Sequence, residues 1–149
     1  MKNNLPPRVV SRRGITLIEL TVVIVILISL VGVLAIGSRA WKRASDRSAC
    51  VMNLRNFQVA TRSYQNLRGY YYGGQPGLEY GTRDIARHLL EMGYITHGAH
   101  DQAKGTRPCA GGGTYNAAAP TVFPMPGELY IKCSLSASED HEPDNFADW

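Results

Sequence analysis

Two things are missing from the first third of this 149-residue chain, and their absence shapes the rest. No proline occurs between Ile15 and Arg68, and Ile15 to Ser38 carries one charge, Glu19. Without proline nothing interrupts a helix through the region. Chemistry is also scarce. His88, His97, His100 and His141 do not have the spacing of a zinc site. No nucleophile–base constellation is visible in the sequence. The run Gly111 to Gly113 has neither the lysine nor the following helix of a phosphate cradle. These absences point away from an enzyme. The net charge of +4 does not indicate nucleic-acid binding either. Four basic residues, Lys2, Arg8, Arg12 and Arg13, precede Ile15, and the remainder carries twelve charges of each sign.

What is present begins with the stretch ITLIELTVVIVILISLVGVLAIGS, residues 15–38. At about 1.5 Å per residue it is long enough, as a helix, to cross a hydrocarbon core of ~30 Å. Its β-branched residues do not argue for a strand, because an uninterrupted apolar run of this length reads as a membrane helix. The basic residues before it favour a cytoplasmic amino terminus. Arg39, Lys42, Arg43 and Arg47 follow it and are placed at the far membrane surface, near lipid phosphates. A secretory signal cut near Ala35-Ile36-Gly37, or a plain single-pass anchor, would also begin this way. Both leave Glu19 unexplained, since an unpaired carboxylate in lipid costs roughly 2.5–3.5 kcal/mol.

The residues Arg12-Arg13-Gly14-Ile15-Thr16-Leu17-Ile18-Glu19-Leu20 resemble the cleavage motif of type IV prepilins and of type II secretion pseudopilins. The resemblance implies that a membrane prepilin peptidase cuts between Gly14 and Ile15 and methylates the new amino terminus. Glu19 then becomes the fifth residue of the mature chain and the assembly residue. Ile15 stands where the family usually has Phe or Met, and no proline interrupts the membrane segment. The match is tight over residues 12–38 and extends beyond them only in layout. On this reading residues 1–14 are a leader peptide, 15–38 a membrane and filament-core helix, and 39–149 a periplasmic or extracellular head that includes the second half of the helix.

Beyond residue 49 the helix turns amphipathic. Cys50, Val51, Leu54, Phe57, Tyr64 and Leu67 share one face, with Arg55 and Arg62 off it. One continuous helix of ~80 Å is predicted, ending at Gly69. A loop rich in glycine and tyrosine follows, RGYYYGGQPGLEYG, its tyrosines read as loop packing. A second helix opens with Thr82 or Asp84 as cap and presents Ile85, Leu89 and Met92. Tyr94 to Thr96 is read as a short strand and residues 97–113 as a flexible polar segment. Strands are expected at Thr114 to Ala119 and Glu128 to Cys133, with prolines 120, 124 and 126 between them. The fold class is therefore α+β: a long hydrophobic N-terminal helix, pilin-like, packed on a small antiparallel sheet.

The pilin-like layout comes with a cysteine pair in the head, where disulfides are permitted. Cys109 and Cys133 are expected to bridge, closing a loop worth roughly 3–4 kcal/mol, while Cys50 stays a buried thiol. The last sixteen residues hold Glu139, Asp140, Glu142, Asp144 and Asp148 with no Lys or Arg. They read as a solvated acidic tail, or as a surface that meets the basic helix of a neighbouring subunit. No metal is required; Asp140, Glu142 and Asp144 are the calcium candidates, because secretion-type major pseudopilins bind calcium in the head.

The expected function is that of a structural subunit, pilin or pseudopilin, of a type IV pilus-like filament. The alternatives are the major pseudopilin of a type II secretion system and a monomeric membrane-anchored binding domain. The expected partners are identical subunits, the prepilin peptidase, an inner-membrane assembly platform and, before assembly, membrane lipids. The precursor is placed in the inner membrane and the product in a periplasmic or extracellular filament.

Overall fold

The computed structural model describes residues 14–149; residues 1–13, with Lys2, Arg8, Arg12 and Arg13 and all but the last residue of the expected leader, lie outside the described residues. The chain divides into two units, Met1–Ala40 and Trp41–Trp149. Helix α1 (Leu17–Arg68) contributes to both and is uninterrupted over its 52 residues, as the absence of proline implies.

In the first unit α1 is apolar all round. Sixteen Ile, Leu and Val side chains from Ile15 to Ile36 are between 45 and 81% exposed. Covering them is worth on the order of 20 kcal/mol at the usual increment per aliphatic side chain. The helix is long and apolar enough to cross a membrane.

In the second unit α1 is one wall of a mixed helix and sheet fold. Cys50, Leu54, Phe57, Ala60 and Tyr64 are buried along it. The predicted face is thus correct at Cys50, Leu54, Phe57 and Tyr64, whereas Val51 is half-buried and Leu67 is 71% exposed. The same wall buries three polar side chains, Gln58, Thr61 and Gln65. Arg62 leaves the helix to donate to the carbonyl oxygens of Met125 and Trp149, 2.8 and 2.9 Å away. Gly69, at φ +69°, ends α1 in the left-handed conformation expected after a last turn.

After the Gly/Tyr loop and a short 3-10 turn, α2 (Ile85–Glu91) starts at Asp84, whose carboxylate accepts from the Ala86 amide at 3.2 Å. Ile85 and Leu89 are fully buried. The loop tyrosines divide. Tyr70 stacks on Phe123, with ring centroids 5.2 Å apart, whereas Tyr71 is 86% exposed.

Two expectations for the middle of the chain are corrected. Tyr94 to Thr96 is not a strand: it turns out of α2, and Thr96 caps α3 (His97–Ala103) through its side chain to the Ala99 amide. The polar segment after it therefore begins as a helix, because a strong cap outweighs the glycine at 98. The sheet is smaller than expected. Strands β1 (Tyr115–Ala117) and β2 (Ile131–Cys133) pair antiparallel, with Tyr115 opposite Cys133. A single turn, α4 (Ser136–Glu139), follows.

The sheet is short because a helix side chain takes the place of a ladder partner. The Gln58 amide, 2% exposed, donates to the Glu128 carbonyl and accepts from the Tyr130 amide, both at 2.9 Å. It satisfies the two backbone groups that an extension of β2 would otherwise leave unpaired. Gln58→Leu, similar in size, strands both. We expect a loss of about 2–4 kcal/mol, read as a lowered denaturation midpoint of the full chain in detergent, with Gln58→Glu intermediate.

Candidate functional site

Two places in the chain gather side chains that neither solvent nor simple packing accounts for. The first is the start of α1. Thr16 stands just before the helix, and its amide and its hydroxyl each donate to Glu19 Oε2 at 2.8 Å, while the Glu19 amide reaches back to Thr16 Oγ1 at 3.3 Å. This is a capping box, the T-x-x-E arrangement that satisfies amides at a helix start. It gives Glu19 a local role that spacing alone did not reveal. Both bonds go to one carboxylate oxygen, so Oε1 has no hydrogen-bond partner among the described residues. Gly14 and Ile15 precede the helix as exposed chain without regular structure, and nothing lies within 4 Å of a Cβ placed on Gly14.

The second place is in the other unit. Cys50 on α1, Cys109 in the loop before β1, Cys133 at the end of β2 and His141 after α4 meet in the core, all at most 4% exposed. One ligand atom from each lies within 4.8 Å of every other. Cys109 Sγ is 3.6 Å from Cys133 Sγ and 3.7 Å from His141 Nδ1, and Cys133 Sγ is 4.0 Å from that nitrogen. All three cysteines are free thiols here, including the pair expected to bridge. Burial pushes the Cys50 thiol up to about 12 and raises that of Cys133.

Local sequence explains the convergence. Between Cys109 and Gly113 the chain makes a tight turn, with the Cys109 amide on the Gly113 carbonyl at 2.7 Å and the Gly112 amide on the Cys109 carbonyl at 2.9 Å. The turn lies against His141: a Cβ on Gly111 would come within 2.6 Å of His141 Cε1. On Gly113 it would come within 2.7 Å of Leu135 Cγ. The glycine run read as a loose approach to a strand is a fitted wall. His141 is held from its other side too, Nε2 standing 3.8 Å from Glu139 Oε2.

The remaining candidates are dispersed. Asp140 and Asp144 both turn onto the guanidinium of Arg47, at 2.6 and 2.8 Å, and the Asp140 carbonyl accepts from Arg47 Nε. The basic helix and the acidic tail therefore meet within one chain. The carboxylates are largely exposed, so each pair is worth little. Glu142 is half-buried nearby. His88 is fully buried, its Nε2 donating to the Thr82 carbonyl and its Nδ1 paired with the Tyr64 hydroxyl, each at 2.8 Å. Both ring nitrogens of His88 are thereby committed to structure. His97 and His100 lie on α3, well apart from the cysteines in sequence. Sequence reasoning missed the meeting of Cys50 and His141 with Cys109 and Cys133 because the four are spread over 50–141 with no short ligand pair. The one local signal was a Cys and an Ala followed by three glycines, residues 109–113.

Comparison with known proteins returned no match to a family model, to a curated protein or to a solved structure.

A methyl group at Gly111 must displace His141, which is 1% exposed. We expect Gly111→Ala to destabilise the full chain by about 1–3 kcal/mol, whereas Gly37→Ala, inside α1 with nothing within 4 Å, does not lower the midpoint of the same thermal melt, alanine being the better helix former.

Proposed function

We propose that the chain is a structural subunit of a type IV pilus-like filament, released by cleavage after Gly14 and assembled through its apolar helix. The observation that carries the reading is the start of α1: an exposed Gly14–Ile15 bond, then Thr16 and Glu19, then thirteen exposed aliphatic side chains from Leu20 to Ile36. Such a helix needs either lipid or other copies of itself around it. A filament core supplies the copies after a membrane has supplied the lipid.

Glu19 distinguishes this from a simple anchor. Cleavage creates a cationic amine at Ile15, and assembly brings the amines of neighbours. Glu19 Oε1 is the oxygen left for such a partner, since Oε2 already serves Thr16. At ~4 Å and an effective dielectric of 20 the pairing is worth about 4 kcal/mol before desolvation. A subunit inserted alone has no neighbour's amine, so the carboxylate favours docking in register.

Two experiments test this. The intact mass of the mature protein is expected to begin at Ile15 and to carry an added N-methyl group. A start near Ser38 would identify a secretory signal, and an uncut chain a plain anchor. The second separates the two roles of Glu19. A capping box accepts Gln as well as Glu at its third position. Glu19→Gln therefore keeps the helix start and removes the charge. We expect it, like Glu19→Leu, to insert normally and form no filaments, while Glu19→Asp assembles in part. Filaments at normal levels from Glu19→Gln would reduce Glu19 to a helix cap.

A further inference from the structure

We propose that Cys50, Cys109, Cys133 and His141 are the four ligands of a structural zinc site in the core of the unit Trp41–Trp149. The site is independent of the filament reading, and either can fail without the other.

The argument is geometric first. A tetrahedral zinc with Zn–S near 2.3 Å and Zn–N near 2.0–2.1 Å holds its ligand atoms ~3.5–3.8 Å apart. The separations of 3.6 and 3.7 Å from Cys109 Sγ to Cys133 Sγ and His141 Nδ1 already have the edge lengths of that tetrahedron, and the Cys133–His141 edge, at 4.0 Å, is slightly long. Cys50 Sγ completes the set, with no pair beyond 4.8 Å. Closing the longest edge takes about 1 Å, within reach of a rotamer adjustment at a Cys side chain.

The surroundings fit the same ion. Its ligands come from α1, a loop, β2 and the tail, so the site is closed on all sides, as a structural rather than catalytic zinc requires. The four side chains are each at most 4% exposed, so the sulfurs and the imidazole face one another in a space closed to water. His141 presents Nδ1 to the sulfurs, and its other nitrogen stands 3.8 Å from the Glu139 carboxylate, which a small side-chain movement would bring into the hydrogen bond that orients metal-bound histidines. Three thiolates with one imidazole select zinc over the hard cations, which prefer oxygen. Binding replaces three S–H bonds by three S–Zn bonds and releases three protons to solvent, with no electron transferred.

A disulfide between two of the cysteines is the competing outcome, and one experiment decides between them. The full chain is purified in detergent without chelator, and its zinc content, free thiols and non-reducing intact mass are measured. We expect about one zinc per chain, and three thiols that react only after denaturation with chelator. Cobalt exchanged into the chain is expected to give sulfur-to-cobalt charge transfer and the visible bands of a tetrahedral ion. His141→Gln and Cys50→Ser should each lower retained zinc by at least tenfold. His141→Cys, which keeps four ligands, should retain it; this guards against reading misfolding as ligand loss. A zinc-free chain lighter by a pair of hydrogens, with Cys109 joined to Cys133 or either to Cys50, would overturn the proposal. So would an octahedral cobalt spectrum, or His141→Gln retaining zinc as fully as the unaltered chain.

Discussion

The constraint on which this chain depends is that one helix must satisfy two solvents. Over Leu17 to Ile36 it offers aliphatic groups in every direction, and over Cys50 to Gln65 it offers a single buried wall. Water is a poor surrounding for the first and a suitable one for the back of the second. No residue inside the helix relieves the conflict by breaking it: glycines 32 and 37 lie within regular α1, and proline is absent. The change is written in composition, with Arg39, Lys42 and Arg43 standing where the aliphatic run ends.

The second half of α1 is not merely an apolar stripe with a head laid against it. Gln58 substitutes for a strand, Arg62 holds the segment around Met125 and reaches Trp149, and the Tyr64 hydroxyl meets the buried His88. A purely apolar wall of this size would tolerate sliding, because dispersion is nearly indifferent to register. Polar groups that must be paired once buried are not indifferent, and each fixes one point of the fold against the helix. The small sheet is stable for the same reason. Two strands of three residues do not stand alone in water, but these are closed on one side by a helix that completes their hydrogen bonding.

The sequence was legible where periodicity or a strong terminator acts over many residues. The length of α1, its stop at Gly69, the face bearing Leu54, Phe57 and Tyr64, and the Asp84 cap all follow from patterns of that kind. It was not legible where a short segment answers to distant partners. Tyr94-Ile95-Thr96 has strand propensity, yet Thr96 is taken as a cap by the helix that follows. Glu128 to Tyr130 alternates like a strand but pairs with a glutamine 72 residues earlier. At the start of α1, T-x-x-E is a capping signature in plain view, overshadowed by the question of what a carboxylate does in lipid.

The four residues of the buried cluster show the same limit most clearly. Cys50 was placed in the core by helical periodicity, whereas Cys109 was read in a flexible polar segment and paired with Cys133 only through the pilin-like layout; both are in fact buried beside Cys50. His141 was assigned to a solvated acidic tail on composition. It is instead 1% exposed, with Asp140 before it exposed and clasped by Arg47. The left-handed Asp140, at φ +56°, makes this possible: it ends α4 and turns the chain so that the next side chain points inward. A tail that looks disordered by charge is thus pinned from within by one imidazole and from without by one guanidinium. Charge density describes what a segment shows to water; it is silent on the single uncharged ring that decides where the segment goes.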